Sequence, residues 1–205
     1  DTPGHIDFAY EVSRALSAVE GAILLVDATQ GVQAQTLTVL DMAQKAGLAI
    51  IPAVNKVDLP IARIEEAKAE IRKLIEGDEE ILEISGKTGQ GVEALLDAVI
   101  ERIPSPKKTE GAAQALVFDY AFSPHQGVIA YLRVFGGRFR RNDTLRLAGA
   151  GARFTCQEVG VFSPERKMRD ALEAGEIGYI VTTIKEAEVV YVGDTIVEDR
   201  DGAPA

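Results

Sequence analysis

The sequence predicts two folds in tandem: a doubly wound, mostly parallel α/β sheet followed by a small antiparallel β-barrel. In the first half, continuous apolar runs that end in polar residues alternate with amphipathic segments of helical length. This alternation is typical of parallel strands buried on both faces. In the second half, short runs rich in Val, Ile, Phe, Tyr and Thr are separated by Gly, Pro, Asn and Asp, which favours a barrel.

The elements of the first half follow from periodicity. Helical spacing places Leu37 and Leu40 on the buried face of one helix, and Leu95 and Leu96 on that of another. The predicted strands are 21–27, 48–55 and 81–84, and the predicted helices are 33–46, 64–75 and 92–100.

Short β-rich runs define the second half, and two prolines within 103–111 mark the boundary. The predicted strands are 115–122, 128–135, 143–147, 153–161, 178–183 and 194–197. We therefore expect an α/β domain over 1–104, a linker over 105–113 and a β-barrel over 114–200.

Composition limits the class of protein. The 205 residues include 22 Lys and Arg against 32 Asp and Glu, and a single cysteine. One cysteine cannot form an internal disulfide, and no apolar run approaches the roughly 20 residues of a membrane span. We expect a cytoplasmic protein with no integral membrane segment. The chain starts inside a motif, so we also expect a piece of a longer protein.

Polar residues follow the second predicted strand as Asn55-Lys56-Val57-Asp58. Open α/β sheets bind ligands at the carboxyl ends of their strands. Asp58 can accept two hydrogen bonds from an amidine-like edge while Asn55 ties the loop together, a geometry that selects guanine. The alternative is a turn with two polar caps.

A second loop, Ser85-Gly86-Lys87, follows the third predicted strand. Its small residues can direct backbone N–H groups at a base carbonyl oxygen. Ser/Gly-rich loops are common, so this loop alone does not indicate a guanine site. It supports one only together with the Asn55–Asp58 loop that follows the preceding strand.

The chain begins with Asp1-Thr2-Pro3-Gly4-His5. Asp1 can reach Mg²⁺ through water, and the Gly4 N–H can approach a terminal phosphate because no Cβ intervenes. His5 can position an attacking water. An ordinary turn with a surface histidine is the alternative.

These motifs together resemble the translational GTPases, the ribosome-dependent class that includes elongation factors G and Tu. Within that class the chain resembles the elongation factor 4 (LepA) family along essentially its whole length. Four further stretches carry the closer resemblance: 10–22, 30–37, 158–164 and 174–180. The family's Ser-Ala-Lys is replaced by Ser85-Gly86-Lys87.

The resemblance implies a role for each motif. Asn55 and Asp58 would bind guanine, and the Lys56 stem would cover the base. Ser85 and Gly86 would contact the base oxygen, and Lys87 belongs to the same GTP-binding loop. Asp1 would hold Mg²⁺ through water, Gly4 would sense the γ-phosphate of GTP, and His5 would orient the hydrolytic water. The segment from Asp1 through the following helix would switch between GTP and GDP states. The implied partner is the ribosome, and the implied activity is GTP hydrolysis coupled to back-translocation or to fidelity or rescue under stress.

Basic residues concentrate in the β-rich half, where nine lie between Arg133 and Arg169 against three acidic ones. Because arginine suits phosphate contacts, Arg138, Arg140 and Arg141 are candidates to face ribosomal RNA. A solvated barrel surface is the alternative.

One motif of the family is absent from this sequence: the phosphate loop Gly-x-x-x-x-Gly-Lys-Ser/Thr. We expect a partial P-loop GTPase domain that lacks the phosphate loop and first switch, so this piece alone is predicted to be inactive and unstable. The alternatives are a GTPase of the BipA or elongation factor G type and a non-enzymatic RNA-binding module. Peripheral attachment at the inner face of the cell membrane is the alternative to a free cytoplasmic location.

Overall fold

The computed structural model describes residues 9–75 and 79–199. The chain divides into two compact units, Asp1–Ser105 and Pro106–Ala205.

The first unit is an α/β sheet whose three strands are parallel, in the order β1-β2-β3. Its strands are β1 (Gly21–Asp27), β2 (Ala49–Asn55) and β3 (Leu82–Glu83). Its helices are α1 (Ala9–Ser17), α2 (Ala34–Lys45), α3 (Ile64–Arg72) and α4 (Val92–Arg102). The three strands and the three helices predicted for this half are confirmed, and α1 lies in the segment assigned to the switch.

Helices cover both faces of this sheet. Val54 of β2 packs with Leu40 of α2 and Ile71 of α3. On the other face, Ile51 of β2 packs with Leu95 of α4. The doubly wound arrangement is therefore confirmed.

Two residues predicted to be buried are exposed: Leu37 at 45% and Leu96 at 57%. Successive helical residues are rotated by about 100°, so Leu96 points well away from the buried Leu95. Leu37 lies similarly at the margin of the face that buries Leu40.

In β1 the side chains alternate between core and surface. Leu24 and Val26 are buried, whereas Ile23 and Leu25 are 42% and 50% exposed. Among the described residues β1 forms the edge of the sheet and pairs only with β2.

The second unit is antiparallel, and its main sheet has the linear order β10-β9-β12-β5-β4-β13-β7-β8. A separate pair joins β11 to β6. The strands are β4 (Gln114–Ser123), β5 (Gly127–Gly136), β6 (Arg138–Arg140), β7 (Thr144–Leu147), β8 (Arg153–Thr155), β9 (Glu158–Phe162), β10 (Arg166–Met168), β11 (Ala171–Glu173), β12 (Ile177–Val181) and β13 (Thr195–Glu198). A short 3-10 helix spans Ala187–Val189. The antiparallel sheet is confirmed, whereas its closure into a barrel stays a prediction.

Two details differ from the predicted strands. The strand predicted over 153–161 is divided into β8 and β9, and β6, β10 and β11 were not predicted. Within the predicted linker, the Thr109 N–H donates to the Phe135 carbonyl at 2.7 Å, so this part of the linker joins β5.

The larger hydrophobic cluster of the second unit is distinct from a smaller one formed by Ile129, Tyr179 and Val181 of β5 and β12. In the larger cluster, Leu132 of β5 and Ile180 of β12 are fully buried together with Phe139 of β6 and Leu145 of β7. In the part of the chain that the structure describes, no helix is long and apolar enough to cross a membrane.

Candidate guanine-nucleotide site

The carboxyl ends of the three parallel strands meet at one edge of the first unit. Asp27 ends β1 and lies in register with Asn55, which ends β2. The Ala28 N–H donates to the Asn55 carbonyl at 2.9 Å, and the Ile84 N–H donates to the Val54 carbonyl at 2.8 Å. The loop that begins at Ser85 therefore starts beside the Asn55–Asp58 loop.

The Asn55 side chain joins these two loops. Its Oδ1 accepts hydrogen bonds from the Lys56 N–H at 2.8 Å and from the Gly86 N–H at 3.1 Å. A third link is the Val57 N–H, which donates to the Ile84 carbonyl at 3.3 Å. One amide oxygen thus fixes the first loop and holds the second against it.

Ser85 shapes the second loop from inside. It is fully buried, and its Oγ accepts the Thr88 N–H at 3.1 Å. Its N–H donates to the Gln90 carbonyl and its carbonyl accepts the Gly89 N–H, both at 2.9 Å. These three bonds close a tight turn with Gly86 and Lys87 exposed.

This geometry refines the predicted contact to the base oxygen. The Ser85 and Gly86 N–H groups already donate to Gln90 and Asn55. Within the described residues, the Lys87 N–H is the donor of Ser85–Lys87 that no carbonyl or side chain accepts. A Cβ added at Gly86 would meet nothing closer than Asn55 Oδ1 at 3.9 Å, so the alanine of the family's Ser-Ala-Lys motif would also fit.

Lys56 adopts a left-handed backbone with φ of 64°, which is uncommon outside glycine. Its Nζ lies 2.6 Å from Asp27 Oδ2, and half of its side chain is exposed. The Lys56 side chain therefore crosses from the end of β2 to the end of β1.

Asp27 is held on its other oxygen by Thr29. Oδ1 accepts the Thr29 N–H at 2.8 Å and the Thr29 hydroxyl at 2.7 Å. Burial alone would raise the pKa of the Asp27 carboxyl, but the hydrogen bonds from Lys56 and Thr29 outweigh it and lower that pKa below its ordinary value. The carboxyl group is therefore ionised at neutral pH.

Asp58 lies half-buried in the same loop. Among residues 9–75 and 79–199, no group donates a hydrogen bond to its carboxylate or forms an ion pair with it. Both carboxylate oxygens remain available to a ligand that offers two parallel N–H donors.

Three predicted site residues, Asp1, Gly4 and His5, lie outside the described residues. Within the described part of the chain, no group of three or more His, Cys, Asp or Glu side chains could hold a metal ion. The predicted Mg²⁺ contact of Asp1 stays a prediction.

The basic run of the second unit does not form a single face. Arg138 and Arg140 are exposed on either side of the buried Phe139, and Arg141 is exposed in the following turn. In contrast, Arg133 is 5% exposed and lies over the Phe135 ring. Two others are near one carboxylate: the Arg153 Nε lies 3.0 Å and the Arg146 Nε 4.0 Å from Asp199 oxygens.

Asp27 and Thr29 were not among the predicted site residues. A signal for Asp27 was present, because a polar residue at the end of the strand next to Asn55 must lie at the same edge of the sheet.

Residues 1–105 match the family model for the elongation factor Tu GTP-binding domain. The chain belongs to this family. The family is one of GTP-binding domains.

The similarity to curated relatives of this member of the GTP-binding family covers the second unit as well. The chain is 48% identical to elongation factor 4 of Rubrobacter xylanophilus over 205 residues, which is 100% of this chain and 34% of the relative. It is 51% identical to elongation factor 4 of Thermus thermophilus over 200 residues, 96% of this chain and 33% of the relative. Elongation factor 4 of Streptomyces avermitilis is 47% identical over 205 residues, 99% of this chain and 33% of the relative. The predicted resemblance to the elongation factor 4 family is confirmed, and the chain spans about a third of the length of these relatives.

Proposed function

We propose that this chain is part of a ribosome-dependent GTPase of the elongation factor 4 type, with guanine bound between the Asn55–Asp58 and Ser85–Lys87 loops. The observation that carries the proposal is the double hydrogen bond to Asn55 Oδ1, which holds both loops at one strand edge. The family match of residues 1–105 supports the same assignment.

The polar groups of the two loops complement guanine. The free Asp58 carboxylate suits the two N–H donors of the guanine edge, and a charged bidentate contact of this kind is both strong and directional. The Lys87 N–H suits the guanine oxygen. A base with a carbonyl in place of the guanine amino group would face Asp58 with an acceptor, so Asp58 would reject it.

The remaining parts of the proposed activity come from the likeness to elongation factor 4. Asp1 would hold Mg²⁺ through water, Gly4 would contact the γ-phosphate, and His5 would orient the water that attacks it. On the ribosome, hydrolysis would be coupled to a step of protein synthesis.

We assign domain roles on the same basis. Residues 1–104 would be the C-terminal part of the GTP-binding domain, 105–113 the linker, and 114–200 a closed barrel, the second domain of translation factors. Its exposed arginines would contact ribosomal RNA. The protein would act in the cytoplasm, and fractionation of cells would detect any pool attached to the inner face of the membrane.

The decisive experiment is a base-specificity change at Asp58 in the complete protein that carries this chain. Asp58→Asn replaces an acceptor with a donor, so we expect GDP affinity to fall by about 100-fold or more and xanthosine diphosphate to bind instead. Asp41→Asn is the matched control, because Asp41 forms an exposed ion pair with Lys45 on α2. Fluorescent nucleotide titration measures both variants.

The second measurement is the rate of GTP hydrolysis with and without ribosomes. Phosphate release from GTP by the complete wild-type protein should rise severalfold when ribosomes are added. GDP binding that is unchanged in Asp58→Asn would overturn the guanine site. Ribosome binding without any nucleotide binding would instead identify a non-enzymatic RNA-binding module.

A further inference from the structure

We propose that Asp27 is a positioning residue for the guanine nucleotide, because it fixes the Lys56 side chain across the strand ends where the base would bind. This inference rests on the proposed function and adds to it a residue outside the Asn55–Asp58 and Ser85–Lys87 loops. Asp27 would act through Lys56 and would not touch the nucleotide.

The Asp27 carboxylate has a fixed orientation. Two donors from Thr29 hold Oδ1, and this leaves Oδ2 for the Lys56 ammonium at 2.6 Å. The backbone of the turn is anchored as well, because the Asp27 carbonyl accepts the N–H groups of Gln30 at 3.0 Å and Gly31 at 2.9 Å. Only 21% of the Asp27 side chain is exposed, so the anchor is shielded at the strand end.

Lys56 is fixed at both ends of its side chain. At the backbone, its N–H donates to Asn55 Oδ1, and its φ of 64° gives the side chain an unusual direction. At the tip, Asp27 holds the ammonium group. The four methylene groups of the stem lie between these two fixed points.

The ordering of Lys56 before ligand binding explains why Asp27 would matter. Lysine is among the side chains that lose most rotamer freedom when they are immobilised. If the ion pair has already ordered the stem, less entropy is lost when a base packs on it, and binding is tighter. Because the lowered pKa keeps Asp27 ionised, the pair persists at neutral pH.

The test measures dissociation of fluorescent GDP from the complete protein by stopped flow. Asp27→Asn keeps the size of the side chain and removes its charge. We expect dissociation to accelerate by about three- to tenfold, a modest effect because half of the Lys56 side chain is exposed. Asp41→Asn, which removes an exposed pair of similar length on α2, should leave the dissociation rate unchanged.

A double-mutant cycle distinguishes positioning from a general structural effect. Lys56→Met keeps an unbranched apolar stem that Asp27 cannot hold. In that background Asp27→Asn should have no further effect on dissociation. Acceleration of the same size in both backgrounds, or no acceleration in either, would overturn the proposal.

Thr29→Val covers the case in which Asp27→Asn unfolds the protein. This variant keeps the Asp27 charge and removes only the hydroxyl donor, so dissociation should accelerate in the same direction by a smaller factor. Slower dissociation would mean that Asp27 withdraws Lys56 from the base, the opposite role. If Asp58→Asn changes base specificity while the Asp27 and Thr29 variants behave as wild type, the positioning role fails and the proposed function stands.

Discussion

The Oδ1 atom of Asn55 and the backbone nitrogen of Gly86, 31 residues apart in the chain, are joined by a hydrogen bond of 3.1 Å. The same oxygen accepts the Lys56 N–H, so a single amide group organises the loops that follow β2 and β3.

Asn55→Ala should therefore release both loops. Two N–H donors lose their acceptor, and we expect unfolding free energy to fall by about 1–2 kcal/mol. Hydrogen exchange at the Gly86 amide should accelerate. Thr88→Ala is the control within the same loop, since among the described residues Asn55 Oδ1 accepts from Lys56 and Gly86, whereas the Thr88 hydroxyl accepts a long 3.4 Å bond from the Gln90 N–H. Equal exchange at Gly86 in both variants would contradict the role of Asn55.

Asp194 has a comparable organising role in the second unit. This buried carboxylate accepts the N–H groups of Gly149 at 2.7 Å, Ala150 at 3.0 Å and Thr195 at 2.6 Å. Asp194→Ala should lower the unfolding free energy by about 2–4 kcal/mol, because three charge-assisted bonds are lost together. Urea denaturation measures the change, and Asp170→Ala, at an exposed position, should shift the midpoint little.

Stability should decrease in alkaline solution. Burial raises the pKa of the Cys156 thiol to about 12, and burial followed by the hydrogen bond to Glu158 raises the pKa of Tyr179 to about 12. The unfolded values are about 8.5 and 10. Because the folded state holds these protons more tightly, the stabilisation is complete below the unfolded pKa and is lost as pH rises towards 12.

Urea midpoints measured at successive pH values test this prediction. Cys156→Ala should flatten the decline that begins near pH 8.5, and Tyr179→Phe should flatten the part above pH 10, as the unfolded pKa values require. A wild-type midpoint that is constant from pH 8 to 11 would refute both assignments.

The exposed arginines of β6 give a prediction for ribosome binding. Arg138→Glu combined with Arg140→Glu should weaken ribosome binding by the complete protein and make it less sensitive to salt. The slope of the logarithm of the binding constant against the logarithm of salt concentration should become shallower by about 0.7–0.9 for each lost phosphate contact. Lys107→Glu with Lys185→Glu makes the same change in net charge at exposed positions outside the arginine run. Equal weakening by the two pairs would indicate a nonspecific charge effect.

Much of the first unit was predictable because buried parallel strands are continuous apolar runs. β1 was predicted to the residue, and Asn55 and Asp58 were predicted as site residues because they follow such a run. The neighbour of Lys56 was harder to predict, because the Asp27–Lys56 pair depends on strand register and on a left-handed backbone.

In the second unit, sequence patterns did not predict the shortest strands or the exposure of individual arginines. β6 and β10 contain three residues each, two of them basic, so no periodicity could develop. The basic run was also less uniform than its composition suggested. Charge counting cannot distinguish Arg133, buried against Phe135, from the exposed Arg138.

The alternation along β1 has a practical consequence for samples of this 205-residue chain. Ile23 and Leu25 present apolar surface on a strand that pairs on one side only among the described residues. Such an edge is a template for aggregation through strand addition between molecules. Solubility of the isolated chain should therefore be limited by β1, and a lysine at position 23 or 25 would act as a gatekeeper that keeps concentrated samples monodisperse.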